Sequence, residues 1–178
     1  MRNPFSRGAK PPADVLERAG IERGEGVLAS AQSTEGVWLL GTRSALTLVS
    51  GTGVVRIPWE QVENADWERD DERLRVVEVG EFGQERPVHV LTLSDPTRLL
   101  QLVRERVTAS IVLQRRVLTS GKRGLRVVGR RAPNGDGPIS WSYELDHGVD
   151  PSDPVVRLAA EAGLREAQAE LGSEHRPI

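Results

Sequence analysis

The chain has 178 residues, of which 38% are hydrophobic and 28% charged, with a formal net charge of −2 and no cysteine. This composition fits a folded globular chain and excludes a disordered one. Without thiols there is no disulfide framework, thiol catalysis or cysteine metal site, and the cytoplasm is the expected location.

No apolar run approaches the roughly 18 residues needed to span a bilayer. The start, "MRNPFSRGAKPPADV", has basic residues but no apolar stretch of the secretory kind. Arginine outnumbers lysine 22 to 2, a bias typical of a GC-rich bacterial genome. Charge is segregated along the chain. Residues 25–97 carry 13 acids and 6 bases, residues 98–131 carry 10 bases and the single acid Glu105, and residues 132–178 carry 9 acids and 3 bases. Such asymmetry marks a polyanionic partner, or it is neutralised within the fold or across a homodimer.

In chain order, residues 1–25 read as an arm with Pro4, Gly8, Pro11 and Pro12, then a short helix over 13–21 with Val15 and Leu16 inward. Short β-rich runs follow at 27–32, 37–42, 45–50, 54–59, 61–69, 73–80 and 87–94, separated by glycine and polar turns. Seven strands at this spacing predict an antiparallel meander in a small barrel or sandwich. The period then changes. Residues 95–111 read as a helix with Asp95 as N-cap and Pro96 at the first helical position. Its apolar stripe is Leu99, Leu100, Leu102, Val103, Val107 and Ile111. Residues 112–119 and 124–131 flank "SGKR" as a hairpin, "APNGDGP" (132–138) is a turn, and 139–147 is a third strand. A last helix over 155–172 repeats the capping device with Asp153 and Pro154. Val155, Leu158, Ala159, Ala162 and Leu171 are its expected buried side. The end, "SEHRPI", reads as frayed.

Seven strands and a helix, with "RIPWEQVENADWERDDERLRVVEV" (56–79) in the middle, resemble the bacterial pleckstrin-homology-like group. The whole chain also resembles actinobacterial proteins carrying "RERVTASI" and a "W…D…DP" tail (here Trp141, Asp146, Asp150 and Pro151), a resemblance that carries over no activity. The resemblance implies an α+β, mainly β fold. A seven-strand PH-like barrel over 26–111 would be capped by one helix. The second unit, 112–178, is not part of that fold: its own strand and helix signals predict a three-strand sheet and C-terminal helix, and its small apolar mass predicts packing on the first unit or on a partner. Trp59 and Trp67 then read as core wall, Trp59 closing one barrel mouth, with a surface groove as the alternative.

Phosphoinositide recognition in this group uses basic residues around the first hairpin loop. Here that loop is "AQSTEG" (31–36), with Glu35 and no base, so headgroup binding is not expected. "TSGKRG" fails the phosphate-loop spacing, because Arg116 and Arg123 stand where Gly and Ser or Thr are needed. His147 lies among Asp146, Asp150 and Asp153, but the spacing is not that of a calcium loop, and both Asp150 and Asp153 have turn or capping uses. His89 is alone in its strand and His175 is in the tail. The acids around Asp66, Glu68 and Asp70–Glu72 read as solvated. No nucleophile has an identifiable base, so no enzyme activity and no cofactor are expected.

The basic hairpin is the leading candidate site: Arg115, Arg116, Arg123, Arg126, Arg130 and Arg131. The expected function is a non-catalytic adaptor that binds a protein partner or a second copy through an edge strand or groove, with this hairpin as contact. The alternative is nucleic acid held by the same arginines through its phosphates. Residues 98–131 contain no aromatic residue on which bases would stack.

Overall fold

Residues 10–135 and 137–174 are described by the computed structural model. The arm expected over 1–9, Asp136 of the 132–138 turn, and the tail 175–178 with His175 lie outside the described residues. Strands β1 (Ala29–Gln32), β2 (Trp38–Gly41), β3 (Ala45–Val49) and β4 (Val54–Pro58) form one antiparallel sheet in sequence order. Strands β5 (Val62–Glu68), β6 (Arg73–Glu78) and β7 (Val88–Thr92) form a second. A third sheet holds β8 (Ile111–Ser120), β9 (Arg123–Arg130) and β10 (Ser140–Leu145), with β9 central. Helices α1 (Ala13–Ala19), α2 (Thr97–Ser110) and α3 (Pro154–Glu174) complete the described residues. The fold is mixed α+β, with three separate antiparallel sheets and three helices among the described residues.

The seven-strand PH-like barrel expected over 26–111 is not formed. Its strands are split between two sheets, and two features keep those sheets apart. Pro58, which has no N–H to donate, ends β4, and a 3-10 turn, Trp59–Gln61, turns the chain before β5. On the other side, β1 and β7 approach only at an isolated bridge, Ser33–Leu93, where Thr34 N–H donates to Thr92 O at 2.9 Å. Helix α2 packs against β1, β2, β5 and the 3-10 turn, so apolar side chains join the two sheets in place of a ladder.

The core between these sheets holds Leu39, Leu46, Ile57, Trp59, Leu74 and Leu99, all at or near zero exposure. Trp59 is therefore core, placed by the 3-10 turn and not by a barrel mouth. Its indole N–H donates to Thr42 O at 3.1 Å, which satisfies the ring's one polar atom. Gly41 allows α2 to sit close. A Cβ there would lie 2.6 Å from Leu102 Cδ2. The other face of the first sheet is covered by α1, whose Val15 and Ala19 meet Trp38, Leu40 and Val49. With helices on both sides, β2 and β3 are buried along their whole length and do not alternate.

Capping separates the two later helices. Asp95 has a left-handed φ of 53° and accepts from the Thr97 hydroxyl at 3.0 Å, while Pro96 stands at the N-cap without a side-chain bond. The expected Asp95 cap is thus displaced by one residue. Asp153 does cap α3, accepting from Val155 N–H at 2.8 Å. The buried side of α3 is not the expected one. Val156, Ala160 and Ala167 face the third sheet, while Val155 and Leu158 are 60% and 67% exposed. Close docking selects the small-residue face: a Cβ on Gly163 would stand 2.5 Å from Val117 Cγ2.

Candidate interaction surface

The six candidate arginines lie on β8, β9 and the residue after β9, and four of them have acidic partners within the chain. Arg115 donates to Glu166 at 2.6 Å and to Glu170 at 3.3 Å, on α3. Arg116 grips both carboxylate oxygens of Asp146 and also donates to Lys122 O at 3.2 Å. Asp146 accepts the Gly124 N–H as well. The Arg116 guanidinium first, and this backbone donor second, hold the Asp146 carboxyl down at about 2. Arg126 meets Glu144 at 3.1 Å. Arg123 is exposed, its guanidinium close to the backbone of Gly148, with no ion pair among the described residues. Arg131 is half-buried, and its Nε has no hydrogen-bond partner among the described residues.

Arg130 is 1% exposed and joins three elements. It donates to Glu63 O on β5 at 2.9 Å, to Ser110 Oγ at the end of α2 at 3.3 Å, and to Glu144 on β10 at 3.3 Å. Burial pulls its pKa below the usual arginine value, with Glu144 and Glu63 opposing. Beside it, Arg86 bridges to the Glu63 carboxylate and donates to Tyr143 O at 2.8 Å. Burial pushes the Glu63 carboxyl up, against the pull of Arg86. Phe82 adds an edge-to-face contact with Tyr143, ring centroids 5.2 Å apart. Arg130 thus fixes the third sheet against β5 and α2.

That joint borders an open groove. β5 pairs only with β6, so its other edge has no strand partner among the described residues. Helix α2 runs alongside, and a groove of about 380 Å³ lies between them. Its apolar wall is Ala65, Trp67 and Leu74 on one side and Leu100, Val103 and Val107 on the other. Arg104, Thr108, Asn64 and Asp66 supply polar atoms at its sides. Ala65 and Trp67 share a face, as strand alternation requires, and Trp67 is half-buried. Leu100, Arg104, Val107 and Thr108 lie at helical spacing on one face. The apolar stripe of the sequence puts Leu100 and Val107 in the core, and the structure puts them on the groove wall. The one signal against the core position is their offset from Leu99, Leu102 and Val103, the residues that α2 buries.

The remaining candidates have local uses. Asp150 accepts from the Ser152 N–H and hydroxyl, and Ser152 thereby lowers its pKa. His147 is exposed, and His89 meets Glu78 at 2.6 Å. No group of three or more His, Asp or Glu side chains in metal-binding array occurs among the described residues. The "SGKR" turn reverses β8 into β9, with Gly121 at φ 57°. Among the described residues, no helix is long and apolar enough to cross a membrane. Comparison with known proteins finds no family model, no curated protein and no solved structure that matches the chain.

Proposed function

We propose that this chain is a non-catalytic interaction module of the cytoplasm that binds a protein partner through an extended segment of that partner. The segment adds to the free edge of β5 and sets alternate side chains into the groove against α2. Backbone bonds to the strand edge give affinity, and the apolar wall reads the side chains. The observation that carries this reading is the open β5 edge beside an apolar groove, with half-buried Trp67 as anchor. The groove binds apolar side chains, Arg104 gives it one cation, and Arg123 and Arg131 are the hairpin contacts left for an acidic flank.

The test uses the full chain in its source cell. A photo-crosslinking side chain replaces Asn64, which is exposed at the groove. The expected result is a defined protein adduct that survives nuclease and is lost when Thr108→Trp fills the groove, with circular dichroism unchanged. An adduct that disappears with nuclease would transfer the assignment to nucleic acid. An adduct indifferent to Thr108→Trp would remove the groove from the interface.

A further inference from the structure

A second cleft, of about 640 Å³, shares no lining residue with the β5–α2 groove. It lies between α1 and the chain leading into β1, within the size range of small-molecule sites. Its walls are apolar: Pro11, Leu16 and Ile21 on the α1 side, Val27, Leu28 and Ala29 on the β1 side. Leu16 and Leu28 are 37% and 47% exposed, so apolar area on both walls is left in water. Each Å² of such area covered by a ligand is worth about 25 cal/mol.

The lining carries two cations and one carboxylate, a surplus of one positive charge. Lys10 and Arg98 both line it, and neither has an ion pair or hydrogen bond among the described residues. The one carboxylate in the lining, Glu25, is already engaged. Its two oxygens accept from Ser44 N–H at 2.6 Å and Ser44 hydroxyl at 2.9 Å. The cleft therefore offers an apolar trough with two uncommitted cations. Its complement is a molecule with a linear apolar body and one anionic end. We infer that this cleft binds a single-chain acidic amphiphile of the fatty-acid class, with the chain between Leu16 and Leu28 and the carboxylate met by Lys10 and Arg98.

Decanoate, below its micelle concentration, is the probe, and its displacement of the fluorescent fatty acid cis-parinaric acid is the readout on the full chain. Saturable one-to-one binding is expected. Leu28→Asp, at a partly exposed site, should abolish it. Lys10→Glu with Arg98→Glu should weaken decanoate by roughly tenfold, the factor that about 1.4 kcal/mol represents. The same pair should leave decanol, which has no charge, almost unchanged. Non-saturable uptake, or binding unaltered by Leu28→Asp, would overturn the site. Equal response of decanoate and decanol to the charge reversals would overturn the acidic class. Displacement of the probe by a peptide with a free C-terminal carboxylate, but not by decanoate, would assign the cleft to a chain terminus and overturn the inference too.

Discussion

Asp146 shows how one side chain sets the state of the basic hairpin. It accepts two bonds from Arg116 and one from the Gly124 backbone, and so joins β8, β9 and the end of β10. Those donors favour the carboxylate, which is why its pKa falls to about 2 from 3.8. A carboxyl lowered by folding stabilises the fold above its unfolded pKa and ceases to do so as pH falls through its folded one. Asp146→Asn should therefore lower the melting temperature at pH 7. The gap between the two proteins should close as pH falls from about 4 towards about 2. Thermal melts across that range check it. A gap that stayed constant with pH would mean that the carboxylate's charge has no part in the effect.

At the scale of elements, the strands are legible in the sequence and their closure is not. Residues 73–80 and 87–94 read as strands, and β6 and β7 lie within those spans, because β-branched runs bounded by turn residues are a local signal. Whether β4 joins β5 depends on Pro58 and the 3-10 turn. Whether β1 joins β7 depends on where α2 docks. The first is a short local break inside a run that otherwise reads as β, and the second is a contact between segments far apart in sequence. Helix α3 shows the same divide. Val155 and Leu158 outrank Ala160 and Gly163 in hydropathy, yet a helix lying on a sheet at close range needs the smaller pair. Two glycines of α3 test that account. A Cβ added at Gly172 would have nothing within 4 Å among the described residues, so Gly172→Ala should gain about 0.5–1 kcal/mol from helix propensity. Gly163→Ala gains the same propensity but drives a methyl to 2.5 Å from Val117 Cγ2 and 3.3 Å from Val127 Cγ2. Overpacking of this kind costs about 1–3 kcal/mol, so the net change should be a loss. Urea unfolding of the two variants should give opposite signs. A gain in both would show that α3 does not need its close approach.

For the whole molecule, the segregated charge of the sequence resolves into pairs that cross the fold. The basic segment 98–131 is legible as a block. That the fold could neutralise it is legible too, but which acids do so is not, because they lie 51 and 55 residues away for Arg115, 30 for Arg116 and 18 for Arg126. Solvent and salt screen such exposed pairs, so their larger effect is on the outside field. Acids held within bonding distance cancel the arginine potential over a Debye length, about 8 Å at physiological salt. A polyanion therefore meets a face on which four of the six arginines are paired with acids, and Arg123 and Arg131 alone of the six have no ion pair among the described residues. Removing the acids while leaving the arginines separates the two conditions. The triple change Asp146→Asn, Glu166→Gln and Glu170→Gln frees Arg115 and Arg116 without altering a cation. On a heparin column the native chain should elute at low salt and the triple variant distinctly later, with the shift erased when Arg115 and Arg116 are also made alanine. Late elution of the native chain would mean that the pairs open readily to a polyanion, and the hairpin would then serve phosphates directly.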